Sequence, residues 1–266
     1  MNAIVLSPSI RSRYTVAVAH ALQSEGFTVT SIVVRRMLHL GRIRSEWRSA
    51  RSRLLTKIVR RGLQLDSDAL TESSVSIATL IAEANLPADV RAFCAARGVR
   101  LLPCNDFGDA AVLDALEREK PDAVFFTGGG MIRKPVLDRA GAGVVNCHMG
   151  PLPKYRGMDV IEWPVLLGEG CEVTCHFMDE GLDTGPVLLS RPVPFVPGDT
   201  FARIRVRAEV EMVEAMRGVA RGLRQGTLTP RPQAFDKGRQ YFAMHPRLLA
   251  EAREQLARMT ENERTS

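Results

Sequence analysis

The sequence lacks any apolar run approaching the roughly eighteen residues that a membrane-spanning helix requires. Its first residues, MNAIVLSPSIRSRY, form too short an apolar segment for a secretory signal peptide. It also contains no internal repeat and no low-complexity linker. These absences argue against a membrane-spanning or secreted protein, so the sequence predicts a cytoplasmic protein without a transmembrane segment.

Cysteine is scarce, and its five residues are an odd number, so the sequence gives no disulfide framework. Cys171, Cys175 and His176 lie close together, but their spacing is not the C-x-x-C pair of an ordinary zinc site. Cys147 should face the opposite side of its strand from the two polar residues that flank it. We therefore predict buried thiols and no metal site.

Basic residues are abundant in one stretch where acidic residues are few. The chain has 36 Lys and Arg against 30 Asp and Glu, a net charge of +6, which favours anionic partners. Ten of the basic residues and a single acid, Glu46, fall between Arg35 and Arg61, interleaved with apolar side chains. The pattern predicts a basic amphipathic insertion over residues 35–65. The pattern is compatible with three roles for this insertion: a solvated helical flap, a binding surface for a phosphorylated substrate or tRNA, and a contact with a membrane surface.

Short apolar runs alternate with helical patterns along the chain. Residues 3–6 are predicted to be a strand, residues 15–25 a helix that Gly26 ends, and residues 28–34 a second strand. A strand, a helix and a strand at this spacing form a parallel pair with a right-handed crossover. We predict an α/β fold, a doubly wound and mostly parallel sheet flanked by helices, with its site at the carboxyl ends of the strands.

The strongest functional signal lies between residues 143 and 189. Asn146 and His148 are two residues apart in an apolar run, so on a strand both side chains project from one face. The Pro-Leu-Pro at 151–153 ends that strand. A second apolar run, VTCHFM, leads into a glycine-bounded loop that contains Asp183. His176 on this run is expected to support the site from its strand.

An amide, an imidazole and a carboxylate at neighbouring strand ends can perform acyl transfer. The amide donates to a developing oxyanion, the imidazole shuttles a proton, and the carboxylate orients the imidazole. The set contains no nucleophile, so the substrate itself would attack an activated acyl group.

The pattern N-x-H-x-x-x-L-P-x-Y-R-G, followed by a strand and L-D-T-G-P, resembles the folate-dependent formyltransferases. This family includes methionyl-tRNA formyltransferase, glycinamide ribonucleotide transformylase and the amino-sugar N-formyltransferases. The resemblance implies a formyltransferase-like, Rossmann-type catalytic domain over residues 1–232 and a short helical extension over residues 233–266. It also implies catalytic roles for Asn146, His148 and Asp183.

The resemblance implies 10-formyltetrahydrofolate as cosubstrate. The triple glycine that follows the apolar run at 123–126 is not a phosphate-binding P-loop, because no Gly-Lys-Ser/Thr follows it. Its position matches the loop that the family uses to line the pterin pocket, where glycines expose backbone groups to a flat heterocycle. The residues assigned to the cofactor are Gly129, Gly130, Met131, Ile132 and Asp179.

The acceptor implied by the resemblance is a primary amine. The Lys-Tyr-Arg-Gly loop at 154–157 would lie beside it, and the loop at 7–12 could hold an anion at a helix N-terminus. The residues assigned to the substrate are Tyr155, Arg156, Asp159 and Arg11. The loop at 7–12 resembles neither the Gly-Asn-Gly loop of glycinamide ribonucleotide transformylase nor the Gly-Thr-Pro loop of methionyl-tRNA formyltransferase.

The sequence therefore predicts an N-formyltransferase acting on an anionic small-molecule amine, with a nucleotide-linked amino sugar as the first choice. A methionyl-tRNA formyltransferase-like enzyme acting on tRNA is the alternative, although the segment after residue 232 is too short for the barrel-like domain on which tRNA recognition partly depends. A non-catalytic protein that binds nucleic acid or a membrane surface, with a vestigial folate pocket, is a third reading. The sequence leaves open whether the chain forms a homo-oligomer.

Overall fold

The computed structural model describes residues 1–36, 76–128 and 130–262. Two sequence predictions lie wholly or largely outside these ranges. The basic insertion predicted over residues 35–65 is described only at Arg35 and Arg36, and Gly129 is not described. Within the described ranges, no helix is long and apolar enough to cross a membrane.

Within the same ranges, seven strands form one sheet in the order β3-β2-β1-β4-β5-β7-β8. They are β1 (Asn2–Ser7), β2 (Thr28–Arg35), β3 (Arg100–Cys104), β4 (Ala123–Phe126), β5 (Val144–His148), β7 (Cys171–Phe177) and β8 (Val187–Val193). The first five in this order are parallel, whereas β7 is antiparallel to both β5 and β8. Two short strands, β6 (Tyr155–Gly157) and β9 (Arg239–Tyr241), pair separately in parallel.

Helices connect and cover these strands. In the described chain they are α1 (Arg13–Ser24), α2 (Ile77–Glu83), α3 (Val90–Arg97), α4 (Ala110–Glu119), α5 (Lys134–Leu137), α6 (Glu162–Leu166), α7 (Phe201–Gln225) and α8 (Pro246–Asn262). Side-chain caps begin several of them: the Ser12 hydroxyl accepts from the Thr15 amide, and the Thr200 hydroxyl accepts from the Arg203 amide. Gly226, at φ +65°, ends the long helix α7.

Apolar side chains are buried on both faces of the sheet. One face packs against α1 and α7, through residues such as Leu22 and Ile204. The other face packs against α4 and α5, through residues such as Leu116 and Val136. A mostly parallel sheet with helices on both faces confirms the predicted doubly wound α/β fold class.

Two local predictions need correction. The apolar pattern on either side of Pro192 predicts a pair of strands over residues 187–195, but these residues contain the single strand β8. Proline fits there because β8 is the last strand in the order of the sheet, where one missing amide donor is tolerated. The segment after residue 232 was expected to be a turn and one helix, but it also contains β9, which returns to pair with β6.

A chain of buried hydroxyl groups joins the carboxyl ends of β1 and β4. The Thr15 hydroxyl lies 2.8 Å from the hydroxyls of both Ser7 and Thr127, and the Thr127 hydroxyl donates to the Leu6 carbonyl at 2.8 Å. Strand order reverses between β1 and β4, and ligands of open α/β sheets bind at such a switch point. The hydroxyl chain fixes the two loops that leave the sheet there.

Candidate active site

Asn146, His148 and Asp183 come together at the carboxyl end of β5. The distance from His148 Nδ1 to Asp183 Oδ2 is 3.6 Å, and the two side chains are only 8% and 13% exposed. Asp183 has φ +55°, in the left-handed region, and its Oδ2 accepts a hydrogen bond from the Gly157 amide at 3.1 Å. The carboxylate is therefore held against the imidazole by the backbone of β6.

The backbone of β6 also sets the proton positions on His148. Its Nε2 lies 2.9 Å from the carbonyl oxygen of Tyr155. A carbonyl only accepts, so Nε2 carries a proton and Nδ1, which faces Asp183, is the nitrogen that can gain one. Gly150 allows this ring position, because a Cβ there would lie 3.1 Å from Nε2 and 2.8 Å from Val160.

His176 orients the amide of Asn146. The two residues are directly opposite each other in the pairing of β5 with β7. His176 Nδ1 donates to the Phe177 carbonyl at 2.8 Å, so its Nε2 accepts from Asn146 Nδ2 at 3.1 Å. Burial lowers the pKa of His176, which keeps the ring neutral and able to accept. The second N–H of the Asn146 amide is then left for a substrate oxygen.

Gln233 fixes the loop that carries Asp183, and sequence reasoning missed it. Its Nε2 donates to the carbonyl oxygens of Asp183, at 3.1 Å, and Gly185, at 2.6 Å. Asp179 braces the same loop, since its Oδ1 accepts from the Gly181 amide and from the Thr184 hydroxyl. No sequence signal marked Gln233, because its contact depends on how the chain returns after α7.

One cavity, of about 440 Å³, opens on the Asp183 side of Asn146. It is lined by Phe126, Gly130, Met131, Ile132, Arg133, Lys134, Asn146, Met178, Asp179, Glu180, Gly181, Leu182 and Asp183. Four of the five residues assigned to the cofactor lie here, and the fifth, Gly129, is outside the described residues. We call this space the first cavity.

A second cavity, of about 310 Å³, also borders Asn146. It is lined by Pro8, Ser12, Tyr14, Phe126, Thr127, Gly128, Asn146, Cys147, Met149, Glu209 and Met212. Asn146 and Phe126 line both cavities. The two cavities are therefore neighbours that share these two residues.

Arginines surround a third concavity of about 520 Å³, which we call the arginine groove. Its lining is Ser9, Ile10, Arg11, Val34, Arg35, Arg36, Arg91, Leu101 and Pro103. The loop between β1 and α1 contributes residues to both the groove and the second cavity. Arg11, the residue assigned to an anionic substrate, thus lies among three further guanidinium groups.

The other three residues assigned to the substrate make contacts within the protein. The Tyr155 hydroxyl donates to Glu169 at 3.0 Å, and Arg156 donates to the Gly238 carbonyl at 3.1 Å. Asp159 accepts from the Met244 amide at 2.8 Å. These contacts hold the returning segment around β9 against β6, and a role in substrate binding stays a prediction for each of the three.

The described part of the chain contains no group of three or more His, Cys, Asp and Glu side chains arranged to hold a metal ion. Cys147 and Cys175 are opposite each other on β5 and β7, and both are buried. Burial raises the pKa of the Cys147 thiol well above its usual value. This thiol stays protonated, and a protonated thiol is a poor metal ligand.

Comparison with known proteins gives a consistent set of relatives. The family model described as Formyl transferase matches residues 71–219. Methionyl-tRNA formyltransferase of Anaeromyxobacter dehalogenans is 34% identical over 174 residues, which cover 61% of this chain and 56% of that protein. The Thermus thermophilus enzyme of the same name is 35% identical over 149 residues, 55% of this chain and 48% of that protein. The chain thus spans about half the length of the curated relatives it matches.

Solved structures share the fold. An N-formyltransferase from Helicobacter canadensis, in complex with folinic acid and dTDP-3-aminofucose, has a TM-score of 0.59 at 12% identity, covering 96% of this chain and 80% of that one. Glycinamide ribonucleotide transformylase 1 from Symbiobacterium toebii has a TM-score of 0.58 at 17% identity, covering 88% and 95%. At these identities the likeness concerns the fold alone.

Proposed function

Because the chain belongs to the formyl transferase family, we propose that it transfers a formyl group from 10-formyltetrahydrofolate to a primary amine. One observation carries the proposal: Asn146, whose amide His176 orients, lines both cavities, and Asp183, which faces His148, lines the first. The folate occupies the first cavity and the amine approaches from the second. A reaction between two bound molecules needs this kind of shared boundary.

The side chains divide the chemistry between them. The amine attacks the formyl carbon, and the free N–H of Asn146 donates to the oxyanion that develops. A single donor of this kind contributes about 3 kcal/mol. Nδ1 of His148 takes the proton that the amine loses, and Asp183 stabilises the resulting imidazolium. The new C–N bond is complete when the bond from the formyl carbon to N10 of the folate breaks and N10 receives the proton.

The acceptor that the site favours is an anionic small-molecule amine, with a nucleotide-linked amino sugar as the first choice. The arginine groove supports an anionic acceptor, because four arginines line it one loop away from the second cavity and only one of them, Arg35, has an ion pair, with Asp106 at 3.7 Å, among the described contacts of the groove. The methionyl-tRNA formyltransferase relatives support tRNA as the second candidate, and the same groove suits its phosphates.

Calorimetric titration with folinic acid, a stable analogue of the donor, tests the first half of the proposal. Binding that is lost on filling the first cavity with Leu182→Trp supports the assignment. The matched control is Leu167→Trp, at a leucine that is exposed to a similar extent and lines neither cavity. Absence of folate binding by the wild type overturns the formyl-transfer proposal.

A formyl-transfer assay with a panel of amines tests the second half. The panel contains dTDP-3-aminofucose, uridine diphosphate 4-amino sugars and methionyl-tRNA. Turnover of one class identifies the acceptor. If no amine is formylated but tRNA or anionic vesicles bind in a salt-dependent manner, and binding survives Asn146→Ala, the non-catalytic reading replaces this proposal.

A further inference from the structure

Tyr14, in the first turn of α1, lines the second cavity, and the protein leaves its hydroxyl group without a hydrogen bond. The Oη atom is buried, and it has no hydrogen-bond partner among the residues that the structure describes. The ring is half-buried and packs against the apolar core. A buried hydroxyl without a partner is unfavourable for the free protein, so its retention points to a ligand.

The neighbouring hydroxyl groups show the contrast. Thr15 and Thr127 lie in the hydroxyl chain between β1 and β4 and are bonded to each other. The Ser12 hydroxyl accepts from the Thr15 amide. These groups satisfy one another while Tyr14, which lines the same cavity as Ser12 and Thr127, is left out.

The surroundings of Tyr14 keep it a hydrogen-bond donor. Burial raises the pKa of Tyr14 well above its usual value, and Cys147, Cys175 and Glu209 raise it further. The phenol therefore keeps its proton at neutral pH. Glu209, on α7, lines the same cavity, and burial raises the pKa of its carboxyl group. A ligand in this cavity therefore meets a phenol that can donate a hydrogen bond.

We propose that Tyr14 donates a hydrogen bond to an oxygen atom of the acceptor, so that the enzyme selects amines with a hydroxyl or ether oxygen next to the reacting carbon–nitrogen bond. The inference rests on the proposed formyl transfer and narrows its substrate class to amino alcohols such as ring amines of sugars. A simple alkylamine leaves the phenol unsatisfied. Sites with a buried polar group discriminate in this way against analogues that lack the matching atom.

The test is Tyr14→Phe, assayed with the panel amine that the wild type formylates fastest. We expect kcat/KM for the acceptor to fall about tenfold, and affinity for folinic acid to stay unchanged. The unfolding temperature should stay the same or rise, because no bond within the protein is lost. Tyr241→Phe is the matched control: its ring packs against Trp163 at 5.1 Å, and it lines neither cavity.

A second substrate isolates the hydrogen bond. The fastest amine is compared with its deoxy analogue, which lacks the oxygen on the carbon next to the amine. The wild type should prefer the oxygenated amine about tenfold, and Tyr14→Phe should show little preference. Two outcomes overturn the inference alone while the wild type is active. In the first, Tyr14→Phe keeps the wild-type preference for the oxygenated amine. In the second, Tyr14→Phe has a lowered unfolding temperature and loses the same fraction of kcat/KM on both amines. A wild type that formylates no amine overturns the proposed function and the inference together.

Discussion

A backbone carbonyl fixes which ring nitrogen of His148 carries the proton, and so determines which nitrogen can accept another. Because the Tyr155 carbonyl accepts from Nε2, only Nδ1 exchanges protons, and Nδ1 faces Asp183. The carboxylate in turn accepts from the Gly157 amide. His148 and Asp183 thus each have one backbone contact that positions the side chain and one atom left for the proposed reaction.

Removing either end of the His148–Asp183 pair should slow transfer without unfolding the protein. His148→Ala and Asp183→Asn are each expected to lower kcat by about 100-fold or more, because proton transfer loses its base or its electrostatic partner. Asn tolerates the left-handed backbone of position 183 and still accepts from the Gly157 amide. Formyl-transfer kinetics, folinic acid calorimetry and thermal unfolding check this.

The control for these two variants is His245→Ala, at an exposed histidine far along the chain, on the last turn before α8. It should retain wild-type activity. Unfolding of His148→Ala or Asp183→Asn at ambient temperature would contradict a catalytic role and favour a structural one.

Gln233 should affect both stability and rate, because it bonds two carbonyls of the Asp183 loop. Gln233→Leu leaves those carbonyls without their donor, which is expected to lower the free energy of unfolding by about 1–3 kcal/mol. We expect kcat to fall with it as Asp183 loses its position, with folinic acid affinity less affected. Urea unfolding and steady-state kinetics measure the two effects, and Gln240→Leu on the exposed strand β9 is the control. Unchanged kinetics in Gln233→Leu would show that the Asp183 loop keeps its position without the Gln233 hydrogen bonds.

Among the elements, β6 and β9 form a junction between the loop that carries Asp183 and the C-terminal segment. β6 supplies the Tyr155 carbonyl and the Gly157 amide to the site, and β9 pairs with it in parallel. Trp163 in α6 adds a hydrogen bond from Nε1 to the Phe242 carbonyl at 3.0 Å. The segment after residue 232 therefore supports the geometry of the site from outside it.

A methyl group at Gly238 should separate this junction. An added Cβ there would overlap the carbonyl of Pro153, which cannot move aside easily because it is backbone. Gly238→Ala is expected to lower both kcat and the unfolding temperature, as β9 withdraws from β6. Gly170→Ala adds the same methyl group to open space and should change neither. Equal kcat values and equal unfolding temperatures in the two variants would contradict a role of β9 in supporting the site.

The sequence predicted the elements that depend on local pattern. The two-residue spacing of Asn146 and His148 placed both on one strand, and the strands predicted at residues 3–6 and 28–34 correspond to β1 and β2. It could not reveal the bond between His176 and Asn146, because the register of β7 against β5 is set by long-range packing. Gln233 and β9 depend on the path of the chain after α7, which no periodicity encodes.

For the molecule as a whole, acidification should weaken folding through His176. Burial lowers its pKa, which the Phe177 carbonyl and Asp183 only partly offset. The unfolded state then binds the proton more readily. The stability that neutral His176 contributes is present above its unfolded pKa of about 6.5 and is lost as pH falls toward the folded value.

This pH dependence is measurable by urea unfolding at about pH 7.5 and about pH 5.5. From the higher to the lower pH, the wild type should lose more free energy of unfolding than His176→Gln. The glutamine keeps an oxygen that accepts from Asn146, but it does not titrate. His245→Gln is the comparison, because His245 is exposed and the variant keeps the contributions of His176 and of His20, whose pKa burial also lowers. Parallel losses in the wild type and His176→Gln would show that other groups dominate.

The chain of hydroxyls from Ser7 through Thr15 to Thr127 has a consequence for how this scaffold changes over evolution. It anchors both ends of the switch point with contacts that do not involve the side chains at positions 8–11. Those positions border the second cavity and the arginine groove, whereas the groups proposed to carry out the reaction come from β5 and the loop after β7. Under the proposed function, replacing this loop with that of a relative should change which acceptor is used and leave the proposed reacting groups in place.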